Sequence, residues 1–210
     1  MASNQIKVVL LGESSVGKTC VVKRFANDSF NEDSNATLGA TFVSKTLDMP
    51  EYGVTIKFQI WDTAGQEKYR SLAEMYYKDA VAAILVYDIT KKASFDGITY
   101  WLEELKKNAP EGIKIAIAAN KSDLVEKEEI PMSTAQKYAT ENNASFHSTS
   151  AKEGTGIKEM FVAIAKNLGR IPSSPTAAAE GDVIFYSFIN ESLVKERRTE
   201  GSEGTEKRHA

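Results

Sequence analysis

The residues best placed to do chemistry begin at Gly12. GESSVGKT (Gly12–Thr19) sets two glycines, a lysine and a threonine at the spacing G-x-x-x-x-G-K-[ST]. It follows the apolar run IKVVLL (Ile6–Leu11) directly and opens the helical pattern CVVKRFA. In that setting successive backbone N–H groups across Ser14, Ser15, Val16 and Gly17 can turn inward and cradle phosphate oxygens. A side chain at a glycine position would block the approach. The helix N-terminus adds its positive dipole. Lys18 is placed to reach the outer phosphates, and the Thr19 hydroxyl to ligate Mg²⁺. The plain alternative is a glycine-rich turn that only joins a strand to a helix. Alone, the loop implies a nucleoside triphosphate and no particular base.

The base is read from NKSD (Asn120–Asp123) and TSAK (Thr149–Lys152). Each follows an apolar run, so each falls at the carboxyl end of a strand, where open α/β sheets bind ligands. Guanine presents an N1–H beside an amino group, and Asp123 can accept from both; adenine presents no such pair. Asn120 can bond N7 and the Ala151 amide O6, with Ser150 beside it. The stems of Lys121 and Lys152 can flank the ring as apolar walls. By itself NKSD reads as an ordinary polar loop; its pairing with TSAK and the phosphate loop, in this order, gives it meaning.

WDTAGQEKY (Trp61–Tyr69) supplies the reaction. Asp62 suits a carboxylate that holds Mg²⁺ from behind its direct ligands. The Gly65 amide can bond a γ-phosphate, and Gln66 can orient the attacking water. The predicted catalytic set is Gln66, Lys18 and Thr37, the last on grounds of resemblance given below.

These groups need a scaffold. The runs Ile6–Leu11, Val54–Trp61, Val81–Ile89, Ile113–Ala119 and Ala144–Ser148 suit strands covered on both faces. Between them, Phe95, Ile98, Trp101, Leu102 and Leu105 share one helical face, as do Ile157, Met160, Phe161, Ile164 and Leu168. TFVSKTLDM and VTIKFQIW, joined by PEYG, read as a hairpin. The predicted fold is α/β: a P-loop NTPase with a mostly parallel six-stranded sheet, one antiparallel edge strand, and helices on both faces.

The remaining bounds come from composition. A chain of 210 residues, 42% hydrophobic, suits one core plus appendages. A net charge of −3 argues against a nucleic-acid surface. The single cysteine, Cys20, fits a reducing compartment; it reads as a small packed side chain whose backbone N–H can touch the α-phosphate. No signal peptide, myristoylation glycine or membrane-length apolar run is present, which predicts a cytoplasmic protein. His147 reads as structural, and VEKEEI (Val125–Ile130) as a solvated loop.

The motifs resemble those of the small GTPases, and IWDTAGQE, the pair Tyr76–Tyr77, LVYDIT and SF resemble the Rab family. LLGESSVGKT, TLGATF and SLAEMYY are nearest its early-endosomal branch. The resemblance covers roughly Ile6 to Leu168. It implies that Thr37 contacts both Mg²⁺ and the γ-phosphate, that Phe30 packs on the guanine, and that Phe42, Trp61 and Tyr76 form an aromatic trio read by partners. Aromatics on such elements are otherwise core residues. It also implies a switch: GTP holds Asn31–Thr41 and Asp62–Tyr77 through Thr37 and Gly65, and hydrolysis releases them. The bound species are GTP or GDP with Mg²⁺. The partners are an exchange factor, an activating protein that supplies an arginine, and effectors of vesicular or endosomal traffic. A monomer on the cytosolic face of endosomal or other vesicle membranes is expected. A poorly hydrolysing GTP-dependent scaffold is the alternative function; NKSD and TSAK disfavour an ATPase or small-molecule kinase.

Two departures stand out. Asp79 replaces the family's usual glycine, at some cost if the backbone there is left-handed. And GSEGTEKRHA carries no prenylation cysteine. The expected organisation is a GTPase domain over 1–170, a linker over 171–181, an amphipathic helix over 182–198 and a disordered tail over 199–210. In that helix Ile184, Phe185, Phe188, Ile189 and Leu193 share one face. Membrane-surface association without prenylation is one expectation, and a native end different from this one is another. The mixed charge of the polar face favours docking to protein.

Overall fold

The computed structural model describes residues 4–31, 37–65 and 73–172. Gln66 lies outside them, as do the expected segments 182–198 and 199–210 and all but the first two residues of the expected linker. Two compact units are distinguished. The larger joins residues up to Leu47 with Ile56–Ile171. The other takes in Asp48–Thr55 among the described residues. Its described part is the tip of a hairpin: a 3₁₀ turn over Pro50–Tyr52 ends at Gly53, whose N–H bonds the Pro50 carbonyl. The Thr55 hydroxyl donates to the Asp48 carboxylate at 2.8 Å.

The strands are β1 (Gln5–Leu11), β2 (Ala40–Met49), β3 (Val54–Thr63), β4 (Ala82–Asp88), β5 (Lys114–Asn120) and β6 (Ser145–Thr149). The helices are α1 (Lys18–Asn27), α2 (Ala73–Tyr77), α3 (Lys92–Asn108), α4 (Met132–Glu141) and α5 (Ile157–Asn167). The six strands run in the order β2-β3-β1-β4-β5-β6. β1 pairs in parallel with β3 and β4, and β5 with β4 and β6. The β2–β3 hairpin makes the edge pair antiparallel. The expected sheet is therefore the observed one.

Every residue of β4 is buried, as a central strand covered on both faces requires. Side chains alternate across the sheet. Val9, Leu11, Ala83, Leu85, Tyr87, Ile117 and Ala119 cluster with Tyr77 of α2, Ile98, Trp101, Leu102 and Leu105 of α3, and Ala135 and Ala139 of α4. On the other face Phe25 of α1 stacks on Phe161 of α5, with centroids 3.7 Å apart, and both meet Phe58 of β3 edge-on. Removing the Phe161 ring would cost about 3–5 kcal/mol through lost transfer energy and the cavity left behind.

Three expectations change. Leu168 is the residue that closes α5 rather than part of its buried face, which Ala165 completes instead. Asp79 does not adopt a positive φ, so the departure from glycine carries no left-handed strain. The charged stretch Val125–Ile130 is mostly exposed, as expected, but is not all loop. Residues Ser122–Lys127 form a 3₁₀ segment, and a Glu129 carboxylate oxygen accepts from the Lys92 N–H at 2.6 Å. That contact supplies the first turn of α3 with the anion its dipole favours.

Candidate functional site

The carboxyl ends of β1, β3, β4, β5 and β6 converge, and each delivers one part of the site. β1 runs into the loop Gly12–Gly17, whose last glycine is the N-cap of α1 at φ 96°. A Cβ on Gly17 would collide with the Asn120 side-chain amide. Glycine is required there both by the left-handed backbone and by the close approach of β5.

Lys18, buried to 5% exposure, folds back over the loop. Its ammonium donates to the carbonyls of Gly12 and Glu13, each at 2.8 Å. Burial lowers its pKa to about 8, against the opposing pull of the Asp62 and Glu13 carboxylates. Gly65 comes so close that a Cβ there would run into the Glu13 carbonyl and the Lys18 ammonium. The cation is thus held where the chain after β3 meets the loop after β1, the position suited to outer phosphates.

Beside it stands a set of hard oxygens. The Thr19 hydroxyl donates to Asp62 Oδ2 at 2.6 Å. The Thr37 hydroxyl lies 2.8 Å from Thr19 Oγ1 and, since the Thr19 proton is already given to Asp62, is the donor. Burial raises the Asp62 carboxyl pKa, opposed by the Thr19 hydrogen bond and by Lys18 and Lys23. Its other oxygen, Oδ1, is buried without a hydrogen-bond partner. Among the described residues no cluster of three His, Cys, Asp or Glu side chains could hold a metal. Two hydroxyls and one under-satisfied carboxylate instead fit a small hard cation that keeps waters and takes phosphate oxygens, as Mg²⁺ does.

The second half of the site is a cavity of about 360 Å³ lined by Ser15, Gly17, Cys20, Phe30, Asn120, Lys121, Asp123, Leu124, Ala151 and Lys152. Asn120 joins it to the phosphate loop. Its Nδ2 donates to the Val16 carbonyl at 2.8 Å, while its Oδ1 accepts from the Ala151 N–H at 3.3 Å and the Thr149 hydroxyl at 3.4 Å. The Ser150 hydroxyl donates to Asp123 Oδ1 at 2.5 Å and accepts from the Glu153 N–H. Ser150 and Val16 are buried and do not line this cavity. Ser150 orients Asp123, and Val16 contributes through its backbone.

Lys121 shows a partner that motif reading missed. Its ammonium pairs with Asp88 Oδ2 at 2.7 Å. The Thr90 N–H and hydroxyl donate to Asp88 Oδ1. Burial alone would raise the Asp88 pKa, but the Lys121 and Thr90 hydrogen bonds outweigh it and hold the carboxyl below its usual range. The available signal was an acid ending an otherwise apolar strand, in LVYDIT.

The aromatic trio is assembled away from this cavity. Phe42 and Trp61 lie 5.4 Å apart and Trp61 and Tyr76 5.5 Å apart between ring centroids. The Lys7 ammonium sits 5.6 Å above the Trp61 ring. Phe42 is 48% exposed, with Leu38 and Met75 more exposed still. The expected switch segments lie only partly within the described residues, which omit 32–36 and 66–72. His147, partly buried, has its pKa lowered by burial and its Nε2 against the Ser145 hydroxyl at 3.0 Å, in keeping with a structural role.

The Ras family model matches residues 7–170 of the chain. Over 163 residues the chain is 49% identical to the GTP-binding protein ypt5 of Schizosaccharomyces pombe, covering 77% of each sequence. The match spans the phosphate loop, the oxygen set and the base cavity together. The chain belongs to the Ras family, and its likeness to ypt5 supports the Rab-type resemblance of its motifs.

Proposed function

We propose that this chain is a guanine-nucleotide switch of vesicular traffic that binds GTP and GDP with Mg²⁺ and hydrolyses GTP. One observation carries the reading. A single asparagine, Asn120, ties the phosphate loop to a cavity walled by Asp123, Ala151 and the stems of Lys121 and Lys152. That wall matches guanine: a carboxylate for N1–H and the amino group, an amide N–H for O6, and aliphatic surface for the ring. Family membership and the likeness to ypt5, a GTP-binding protein, support the same reading.

Lys18 would neutralise the outer phosphates, and the Gly65 amide would bond the γ-phosphate. Thr19 and Thr37 would hold Mg²⁺, with Asp62 fixing Thr19 from behind. Bound Mg²⁺ would offset charge on the phosphate oxygens. Gln66 would orient the attacking water. Loss of the γ-phosphate would remove what Thr37 and Gly65 hold, and would release the segments that carry Phe42, Trp61 and Tyr76 to partners. Among the described loop residues no arginine enters the phosphate site, so an activating protein would supply one, worth about 10³–10⁵ in rate. An exchange factor and effectors complete the cycle.

Action on the cytosolic face of endosomal or other vesicle membranes, as a monomer, belongs to this reading. So does the division into a GTPase domain over 1–170, a linker over 171–181, a docking helix over 182–198 and a tail over 199–210; the sequence pattern supports it. No helix among the described residues is long and apolar enough to cross a membrane.

The test is to identify the nucleotide that copurifies, then to follow single-turnover hydrolysis of GTP with and without a Rab-activating protein. Copurifying guanine nucleotide with slow, stimulated hydrolysis is expected. Copurifying adenine nucleotide would refute the assignment. Tight GTP binding without turnover would convert the switch into a scaffold.

A further inference from the structure

We propose that Arg24 is a positioning residue for base recognition: its guanidinium grips two consecutive carbonyls of the loop carrying Ala151 and Lys152 and so holds that loop against the base cavity. The inference rests on the guanine-nucleotide reading of the site. Arg24 lies in the last turn of α1, the helix whose first residues are Lys18 and Thr19. Its Nε donates to the Ala151 carbonyl at 2.9 Å and its Nη2 to the Lys152 carbonyl at 2.7 Å. Nη1 donates to the Asp28 carbonyl at 3.1 Å and to Asp28 Oδ1 at 2.9 Å. Four of the five N–H donors of a guanidinium are thereby used.

The rest of the geometry serves this fork. Asp28 closes α1 in a left-handed conformation, φ 51°, with its N–H on the Arg24 carbonyl at 3.0 Å. That turn brings its carbonyl and carboxylate back to Nη1. Gly154, at φ 82°, passes beside the arginine stem, where a Cβ would be in ordinary van der Waals contact with Arg24 Cδ. The Arg24 side chain is 17% exposed, whereas the carboxylate of its Asp28 partner is 89% exposed. The worth of Arg24 therefore lies in the two loop carbonyls rather than in the ion pair, which solvent screens.

The base loop is clamped from two sides. Asn120 accepts the Ala151 N–H on the cavity side, and Arg24 takes the carbonyls of Ala151 and Lys152 from the α1 side. Ser150 and the backbone bonds Ser150 N–H to Thr155 and Gly154 N–H to Ser150 close the loop on itself, and Arg24 adds the hold on the two carbonyls beside the amide that must be aimed. A planar fork suits two adjacent carbonyls; an ammonium supplies no such pair of parallel donors. One helix then serves both ends of the nucleotide, through Lys18 and Thr19 at its start and Arg24 at its finish.

The experiment uses the full chain loaded with a fluorescent GDP and chased with excess GDP at fixed, saturating Mg²⁺. Arg24→Gln is expected to speed GDP release about tenfold to hundredfold, the range of one or two charge-assisted hydrogen bonds. Arg24→Lys, with a point donor in place of the fork, should fall between. A second readout isolates the Ala151 amide. The diphosphate of 6-thioguanosine keeps the N1–H and the amino group and changes only the atom facing that amide. Wild-type protein should prefer GDP over it, and Arg24→Gln should narrow the preference. A merely structural arginine would weaken both diphosphates alike, so an unchanged preference overturns the proposal. So does release within about twofold of wild type in both variants. Wild-type protein that retains no guanine nucleotide overturns the underlying reading of the site instead, and that is seen before any variant is made.

Discussion

Lys121, which lines the base cavity, forms an ion pair with Asp88, 2.7 Å from Nζ to Oδ2, with the carboxylate fully buried and the lysine about one-third exposed. Lys121 itself sits in a left-handed conformation, φ 66°. The pair fixes the head of a side chain whose stem walls the cavity. It thereby leaves the stem one path across the base, which a solvated lysine would not keep.

Asp88→Asn should therefore loosen the wall. The amide cannot neutralise Lys121, though Lys121 can turn its ammonium toward water, which limits the damage. A loss of roughly 1–3 kcal/mol in GDP affinity is expected, as for hydrogen bonds to charged groups. The native dependence on pH has a definite sign. The folded-state pKa of Asp88 lies below its ordinary value, so its contribution is present above that ordinary value and lost as pH falls through the folded one. Denaturant titration of the GDP-bound protein under acid conditions should show wild type and Asp88→Asn converging. A variant with unchanged GDP release would remove Asp88 from the site.

On the proposed reading Asp123 would set the choice of base. Asp123→Asn replaces one of two acceptors with a donor, which meets guanine's amino group badly and xanthine's 2-oxo group well. Mismatches of this type discriminate by orders of magnitude. Competition titration should show GDP affinity falling and xanthosine diphosphate affinity rising. Because Ser150 donates to Asp123 Oδ1 at 2.5 Å, Ser150→Ala should weaken GDP without any gain for xanthine.

Lys18 gives the site a proton linkage. Burial lowers its pKa to about 8, below the ordinary lysine value of 10.5. Its charged form therefore costs stability below about pH 8, a penalty that fades as pH rises from there toward 10.5. Phosphates favour the ammonium, so GDP binding at about pH 8.5 should take up protons. Calorimetry in two buffers of different ionisation enthalpy measures that uptake. Lys18→Met should remove it while leaving the titration of guanine itself; equal uptake in both proteins would contradict the assignment.

Gln66→Leu should keep nucleotide binding and lose hydrolysis. Positioning of a reacting group is worth about 10²-fold when disturbed by an ångström, and here the positioning group is removed outright. Stimulated single-turnover assays decide it. Hydrolysis at the wild-type rate would separate Gln66 from the attacking water.

The chemistry legible in the sequence was the part that backbone geometry dictates. A phosphate loop needs its glycines, lysine and threonine at fixed spacing, and strands covered on both faces must be apolar throughout, as β4 is. What stayed hidden depends on side chains meeting across long separations. Arg24 meets Ala151 and Lys152 from the far end of the chain, and Glu129 caps α3 from 37 residues away. α4 was also faint: its buried residues are Ala135 and Ala139, too small to print an apolar period on MSTAQKYATE.

Phe42 offers the sharpest separation of stability from recognition. It is 48% exposed and leans on Trp61, which with Tyr76 packs partly against the core. An aromatic ring left half in water repays only part of its transfer energy, so Phe42→Ala should cost the folded protein about 1 kcal/mol or less. The same ring covered by a partner would be fully desolvated beside a second aromatic, the setting in which truncation costs about 2 kcal/mol or more. GTP-loaded Phe42→Ala should therefore melt near wild type, hydrolyse GTP at the intrinsic rate, and retain far less of the protein that GTP-loaded wild type captures. Tyr77→Ala provides the contrast: Tyr77 is fully buried, with its hydroxyl on a Glu104 carboxylate oxygen at 2.7 Å, so its loss should appear first as lowered stability. Were Phe42→Ala to lose stability as Tyr77→Ala does while keeping its partners, the trio would be a piece of the core and not a surface that partners read.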